Sequence, residues 1–509
     1  MAGPLPMFLL IGALLGGIVA LMITPREEEP QIIVPLADVL VSAPGLSAQQ
    51  VERQIATPLE KFLYQIDGVE YVYSMSMPER CVVTVRFHVG ENREDSLIKI
   101  YNKIFSQTDR IPAAVQSWVV KPIEIDDVPI VVAVLWSDNP HLAGDHELRR
   151  LAEEIEHDLQ SIENTNKLRV TGGRPRQIRV ELDPNALAAR RTAPLEVAWA
   201  IDVSNKLLPA GEVQVMDKEI VVEAGDFIQS ADELGKLVIN VVDGVPVYLR
   251  DVAHIIDGPA EPSSYTWIGF GPASKRLQND QDVYPAVAIS IAKQKGANAV
   301  WVAQEVEDYF SKLKREIFPP EVHYRIIRNY GQTANDKINN LVSSLLVAVL
   351  TVVIFIGIFL GWRAALVVGL AVPICYGITL LLDLFAGYTI NRVTLFALIL
   401  ALGLLVDDPI TGVDNIERFL KTKERPRGLN VLLAMAEIRN ALIMSTIAII
   451  IAFAPLHYIT GMMGPYMAPM AFNVPVSVIM STLVAFLVTP WLANKLLKPS
   501  RGNSRAYIT

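Results

Sequence analysis

Apolar residues fall in blocks along this chain. An apolar run, Met7–Thr24, comes first; residues 25–335 then mix apolar with polar and charged positions; from Ile338 to Leu492 long apolar segments follow one another closely. A helix needs about 20 predominantly apolar residues to cross a bilayer. The segments Ile338–Leu360, Ala364–Phe385, Asn391–Val413, Ala441–Ile459 and Val474–Leu492 reach that length. With the first run they predict six membrane-spanning helices. Met7–Thr24 lacks a basic leading region and a small-residue cleavage site, and Pro25-Arg-Glu-Glu-Glu-Pro30 follows at once, so it reads as a retained helix rather than a signal peptide.

Between the first two spans one pattern occurs twice. Ile32–Val41 reads as a strand, Ser47-Ala-Gln-Gln50 as a capping box, and Val51, Ile55, Leu59 and Leu63 as the stripe of a helix. Strands at Val69–Met75 and Cys81–Val89, a helix carrying Leu97, Ile100 and Ile104, and a strand at Trp118–Ile123 complete a βαββαβ unit of ferredoxin-like type. A second copy starts at Ile130–Trp136, continues through a helix with Leu148, Leu151, Ile155 and Leu159, and breaks off after a strand at Lys167–Thr171. It resumes at Ala286–Ile291, with a helix after Asn298 and a strand at Val322–Ile327. Residues 172–262 read as an insertion. It holds a predicted hairpin, Glu212–Glu223, whose exposed strands could reach a neighbouring subunit.

The chain of 509 residues is 51% hydrophobic with a mean hydropathy of +0.33, too apolar for an ordinary soluble protein. The net charge of −9 argues against nucleic acid as a partner. Of the two cysteines, Cys81 falls in the polar part and Cys375 in a predicted span, so no disulfide is expected. Basic residues collect at Arg418, Lys421, Lys423, Arg425 and Arg427, and at Lys495, Lys498, Arg501 and Arg505. The positive-inside rule puts both groups, and Arg363, in the cytoplasm, with both termini inside and residues 25–335 outside, in the periplasm of a bacterium. No nucleophile elbow, phosphate loop or Cys/His metal spacing is present, so neither an enzyme nor a metal site is expected.

Against this background Asp407 and Asp408 stand side by side within the fourth span. A carboxylate at the centre of a spanning helix costs roughly 2.5–3.5 kcal/mol. Adjacent carboxylates in a low dielectric cannot easily both ionise, so the pair is expected to take up and release protons as a unit. Each proton crossing 100 mV supplies about 2.3 kcal/mol, enough to bias a two-state helix packing. A bland reading puts the pair at a water-facing helix end, but Asn391–Val406 before it and the distance to the basic loop after it argue for a proton relay. Asn391 begins the same helix as a cap or a supporting group. Asp383, at the outer end of the third span, reads as interfacial, with a part in a proton path as the alternative.

The stretches Pro25-Arg-Glu-Glu-Glu-Pro-Gln-Ile, Pro44-Gly-Leu-Ser-Ala-Gln-Gln-Val-Glu, Pro58-Leu-Glu, Leu249-Arg-Asp-Val-Ala, Gly403-Leu-Leu-Val-Asp-Asp, Asn415-Ile-Glu-Arg and Thr489-Pro490 occur in this order. Together they make the chain resemble the N-terminal half of a resistance-nodulation-division (RND) transporter, in the hydrophobe/amphiphile efflux branch. The resemblance implies helix one at 1–24, porter subdomains at 25–125 and at 126–171 with 263–330, a docking domain at 172–262, helices two to six at 331–495, and a cytoplasmic tail at 496–509. It also implies a trimer in the inner membrane that exchanges protons for amphiphilic compounds, with the proton gradient as energy source and no cofactor. The partners implied are a periplasmic adaptor, an outer-membrane channel, and a C-terminal half on another chain whose lysine would face the aspartates.

Some positions depart from the family pattern. Pro409 stands where a small non-proline residue is usual, and a kink is expected because its ring clashes with the Leu405 carbonyl. Asp414 stands where glutamate is usual, and the aromatic residues of a multidrug pocket are not evident. Trp136 is a candidate substrate contact, with a core role as the alternative. Met462, Met463, Met467 and Met470 raise a Cu(I) or heavy-metal efflux reading, against methionine as apolar filler. A protein-export accessory and a truncated, non-transporting scaffold are the remaining alternatives.

Overall fold

The computed structural model describes residues 5–215, 218–271, 274, 283–421 and 426–497. The chain enters through α1 (Leu5–Ile23), which carries no ionisable side chain. A first α/β unit follows: β1 (Leu36–Ser42), α2 (Ala48–Val51), a π-helical turn, α3 (Thr57–Leu63), β2 (Val69–Met77), β3 (Arg80–Phe87), α4 (Arg93–Phe105) and β4 (Ser117–Ile123). Its strands form one antiparallel sheet in the order β2-β3-β1-β4. Alternation decides the faces. Ala37, Val39 and Val41 on β1 and Val83, Val85 and Phe87 on β3 are buried with Ile55, Leu63, Ile100 and Ile104 of the helical segments. The Ser47–Gln50 capping box forms as expected, with the Ser47 N–H donating to Gln50 Oε1 at 2.9 Å. The β1 ladder starts at Leu36 rather than Ile32, just after Pro35, which has no N–H to donate.

The second unit opens with β5 (Pro129–Ser137), α5 (Asp145–Leu159) and β6 (Thr165–Thr171). The intervening chain forms β7 (Arg176–Leu182), α6 (Pro184–Ala189), α7 (Pro194–Ser204), β8 (Leu208–Val215), β9 (Lys218–Ala224), α8 (Ala231–Gly235), β10 (Val238–Val242), β11 (Val245–Tyr248), β12 (Ala253–Pro259) and β13 (Trp267–Ile268). Then come β14 (Tyr284–Lys293), α9 (Ala299–Glu316) and β15 (Val322–Asn329). β14 lies between β5 on one side and β6 and β13 on the other, and β15 flanks β5, so strands separated by the intervening chain share one antiparallel sheet. Gly172 and Gly173, where the chain leaves β6, have φ of +89° and +66°, and a Cβ at Gly173 would lie 2.5 Å from the Asp145 carbonyl. The intervening segment has its own core around Leu187, Val197, Leu234 and Leu249. The predicted hairpin is present as antiparallel β8 and β9, with its turn outside the described residues.

The remaining helices are α10 (Tyr330–Phe359), α11 (Trp362–Phe385), α12 (Arg392–Leu420), α13 (Arg427–Phe453), α14 (Met463–Leu487) and the short α15 (Thr489–Leu496). With α1, six helices among the described residues are long and apolar enough to cross a membrane. Several outrun their apolar stretches, because the backbone continues to a cap beyond the apolar segment; α10 starts where Asn329 Oδ1 accepts from the Gln332 N–H at 2.8 Å. α11 and α12 form the buried centre. α1 crosses α11 at glycines: a Cβ on Gly17 would lie 2.4 Å from Gly377 Cα.

The two ends of the bundle differ. At one end Arg26 bridges Ile390, and Glu27 forms an ion pair with Lys293 of β14 at 2.6 Å, both side chains buried, so the α11–α12 connection is joined to the large α/β portion. At the other end Arg427 donates to the carbonyls of Ala493 and Leu497, bringing α13 and α15 together. Of the basic residues assigned to that end, Lys423, Arg425, Lys498, Arg501 and Arg505 lie outside the described residues, as does most of the 496–509 tail. Cys81 and Cys375 are both free and buried. Burial, with Glu60 nearby, pushes the Cys81 thiol up to about 11.

Candidate functional site: a carboxylate between three helices

The two aspartates point to different environments. Asp408 is buried at 6% exposure, whereas Asp407 is exposed. One position on an α-helix turns the side chain by about 100°, so neighbours cannot share a face. Asp408 Oδ2 accepts from the Thr482 hydroxyl of α14 at 2.6 Å. The Thr482 hydroxyl lies 2.6 Å from that of Thr446 on α13, so three helices meet at this one carboxylate.

Pro409 lies inside α12, yet the helix continues to Leu420. The expected clash does not end it. The Leu405 carbonyl, which loses its i+4 partner to the proline, accepts instead from Ser481 Oγ at 2.6 Å. A Cβ at Gly412 would meet Met435 and Thr489 at ordinary contact distance.

Asp407 belongs to a continuous exposed face of α12: Phe396, Leu400, Gly403, Asp407, Thr411 and Asp414 recur every three or four residues. Among the described residues, no lysine or arginine forms an ion pair with either aspartate. Near the basic end, Asn415 Nδ2 donates to the Ala434 carbonyl at 2.7 Å and to Glu437, which also holds Arg418. Glu417 pairs with Lys421 at 3.4 Å.

The other sequence candidates are placed as follows. Asn391 caps α12: its Oδ1 accepts from the N–H groups of Val393 and Thr394 at 2.9 and 3.0 Å. Asp383 is buried at 3% exposure in the last turn of α11. Trp136 is buried in a cluster with Val134, Ile268 and Ala286, its ring edge-to-face with Phe270 at 5.3 Å. Met470 packs beside Ala397, Ala401 and Val474, while Met462 and Met463 are exposed where α14 begins.

Sequence reading missed the hydroxyls and amide that line this region. Asn473, Ser477 and Ser481 are all fully buried and lie four residues apart on α14. That spacing in an apolar helix puts them on one face, and it was the available signal.

An antiparallel α/β portion mounted on one end of a bundle of six helices long and apolar enough to cross a membrane is the architecture of a membrane protein. The family model described as the AcrB/AcrD/AcrF family matches residues 5–508, and the chain belongs to that family of RND transporters, which are not enzymes. It is 27% identical over 498 residues to multidrug resistance protein MdtF of Escherichia coli (strain K12), an alignment covering 95% of this chain and 46% of MdtF. It is 26% identical over 488 residues to multidrug resistance protein MdtC of Yersinia pestis bv. Antiqua (strain Angola), again covering 95% and 46%. The chain spans about half the length of the curated relatives it matches.

Proposed function

We propose that this chain is one half of a proton-driven RND efflux transporter that exports amphiphilic and hydrophobic compounds, with Asp407 and Asp408 as its proton relay. The observation that carries this reading is the division of the pair. Asp408 is tied to Thr482 in the bundle interior, and Asp407 stands on the open face of α12. A second bundle docked on that face would bring a cation to Asp407, so protonation of the pair would change the packing between halves.

In this reading the strand order β2-β3-β1-β4 and the shared β5/β14 sheet are two ferredoxin-like porter modules, at 25–125 and at 126–171 with 263–330. Residues 172–262 are a docking domain whose β8–β9 hairpin reaches a neighbouring protomer of a trimer. The α/β portion lies in the periplasm, the bundle in the inner membrane, and a periplasmic adaptor and an outer-membrane channel complete the route. The multidrug names of MdtF and MdtC support the substrate class.

The experiment is export of a fluorescent amphiphile from vesicles holding this chain with its complementary half, energised by an imposed pH gradient. Asp407→Asn and Asp408→Asn should each abolish gradient-driven export while the assembly co-purifies unchanged. Export by both variants at the unsubstituted rate would overturn the relay.

A further inference from the structure

Two polar atoms in the outer third of the bundle are buried without a hydrogen bond: Asp383 Oδ1 on α11 and Asn473 Oδ1 on α14. The two side chains lie against each other. Asn473 Nδ2 donates one N–H to the Pro469 carbonyl at 2.9 Å, and its second N–H is directed to the Asp383 carboxyl. Both orphaned atoms are acceptors, and an ionised carboxylate offers nothing but acceptors. What these two oxygens lack is a hydrogen, and one proton on Asp383 Oδ1 would turn that atom from acceptor into donor.

Among the described residues no cation forms an ion pair with Asp383; Arg26, at the same end, donates to Asn335. α1, packed on α11, has no ionisable side chain. At the same end of α10 Lys337 is paired with Glu28, and Arg392 of α12 is paired with Glu29. α14 contributes the Tyr466 phenol, which Arg392 holds at 3.0 Å, and Lys495 of α15 lies at the opposite end. The Tyr388 phenol, in the connection after α11, is the neighbouring titratable group, raised by burial and then by Asp383.

From Asp383 a file of hydroxyls leads inward. Thr379, one turn before Asp383, lies 3.4 Å from Ser477. Ser477 is one turn from Asn473 and one turn from Ser481, and Thr482 donates to Asp408. Asn473 to Ser481 spans about 12 Å of helix, with Ser477 midway, so successive polar groups stand about 6 Å apart, a separation that one bridging water would span.

We propose that Asp383 is a second membrane-embedded proton-binding group, loaded from the side of the α/β portion, that passes its proton along this file to Asp408. This rests on the relay reading above. A hydronium ion gives its proton to Asp383 Oδ1 and becomes water. The Asp383 O–H bond then breaks as the next oxygen takes the proton and releases its own hydrogen onward. The final O–H bond forms on Asp408, and Asp383 is again a carboxylate.

The test uses the full chain in oriented liposomes, with infrared difference spectroscopy of protonated carboxyl groups after a pH jump on the α/β side. Asp383→Asn should remove one carboxyl band and slow the appearance of the Asp408 band roughly a hundredfold, the scale for loss of a positioned proton-transfer group. Asp383→Glu should restore the rate, which a merely structural role would not require. If Asp383→Asn fails to assemble, Thr379→Val with Ser477→Ala interrupts the same file and should slow the same band.

An unchanged Asp408 rate in the interrupted file overturns the path while leaving the Asp408 relay standing. Absence of any band sensitive to Asp408→Asn overturns the relay itself. Suppression of the Asp383 band by Na⁺ at constant pH would make the orphaned oxygens a sodium site and overturn the proton assignment.

Discussion

Ser481 donates its hydroxyl to the carbonyl of Leu405 at 2.6 Å, filling the position that Pro409 cannot serve. A proline in the middle of a spanning helix is tolerated where a neighbouring side chain takes up the freed carbonyl. Interhelical hydrogen bonds of this kind in membranes contribute about 0.6–1.7 kcal/mol. Ser481→Ala should therefore lower stability by that amount in thermal unfolding of the detergent-solubilised chain. In a Pro409→Ala background the introduced N–H serves Leu405, and Ser481→Ala should then cost less. Equal losses in both backgrounds would mean the bond does not compensate the proline.

The Glu27–Lys293 pair gives a sharper effect. Both side chains are buried at 5–6% exposure, and Thr389 also donates to Glu27. Removing one partner of a buried pair costs about 3–5 kcal/mol because the other charge is left uncompensated, whereas replacing both with apolar groups is often near neutral. Lys293→Met should destabilise the chain on that scale, and Glu27→Leu with Lys293→Met should recover most of it, as read by the unfolding midpoint.

At the crossing of α1 and α11 the prediction is steric. A Cβ on Gly377 would sit 2.4 Å from the Ala13 carbonyl oxygen, and backbone atoms cannot swing aside as a side chain can. Gly377→Leu should detach α1 from the bundle, seen as loss of a disulfide crosslink engineered between the two helices. Gly403→Leu, with open space at its Cβ, should leave that crosslink intact.

In the α/β portion Arg174 grips Asp145 through two bonds of 2.8 and 2.9 Å. These hydrogen bonds hold the Asp145 carboxyl below its ordinary value. A depressed folded-state value means the contribution is fully present above the unfolded value, about 3.9, and is lost as pH falls through the folded one. Hydrogen exchange in the first turn of α5 should accelerate below about pH 4 for the unsubstituted chain. Arg174→Ala should show faster exchange already at neutral pH and a flatter response to acid.

Much of the architecture was legible in the residues. Apolar length identified each span, since lipid admits only backbone that satisfies itself within a helix or closed barrel. Period-two alternation located the strands of both units, and a strand pattern that breaks off near Thr171 and resumes near Ala286 foretold one sheet built from distant segments. Boundaries were less legible. The apolar stretches end before the helices do: α12 runs on to Leu420 and α13 begins at Arg427, at caps that hydropathy does not see.

The sequence by itself determined the chemistry that had to be accommodated: two adjacent carboxylates and a proline after them, in one of six long apolar segments. Adjacency in sequence is a covalent fact and needs no coordinates. Tertiary structure alone decided how that chemistry is divided. It turned Asp408 inward to Thr482 and Asp407 outward, gave Ser481 to the carbonyl that Pro409 orphaned, and buried Asp383 beside Asn473. These partners lie 74 to 90 residues apart along the chain, and only the packing of one helix face against another brings them together.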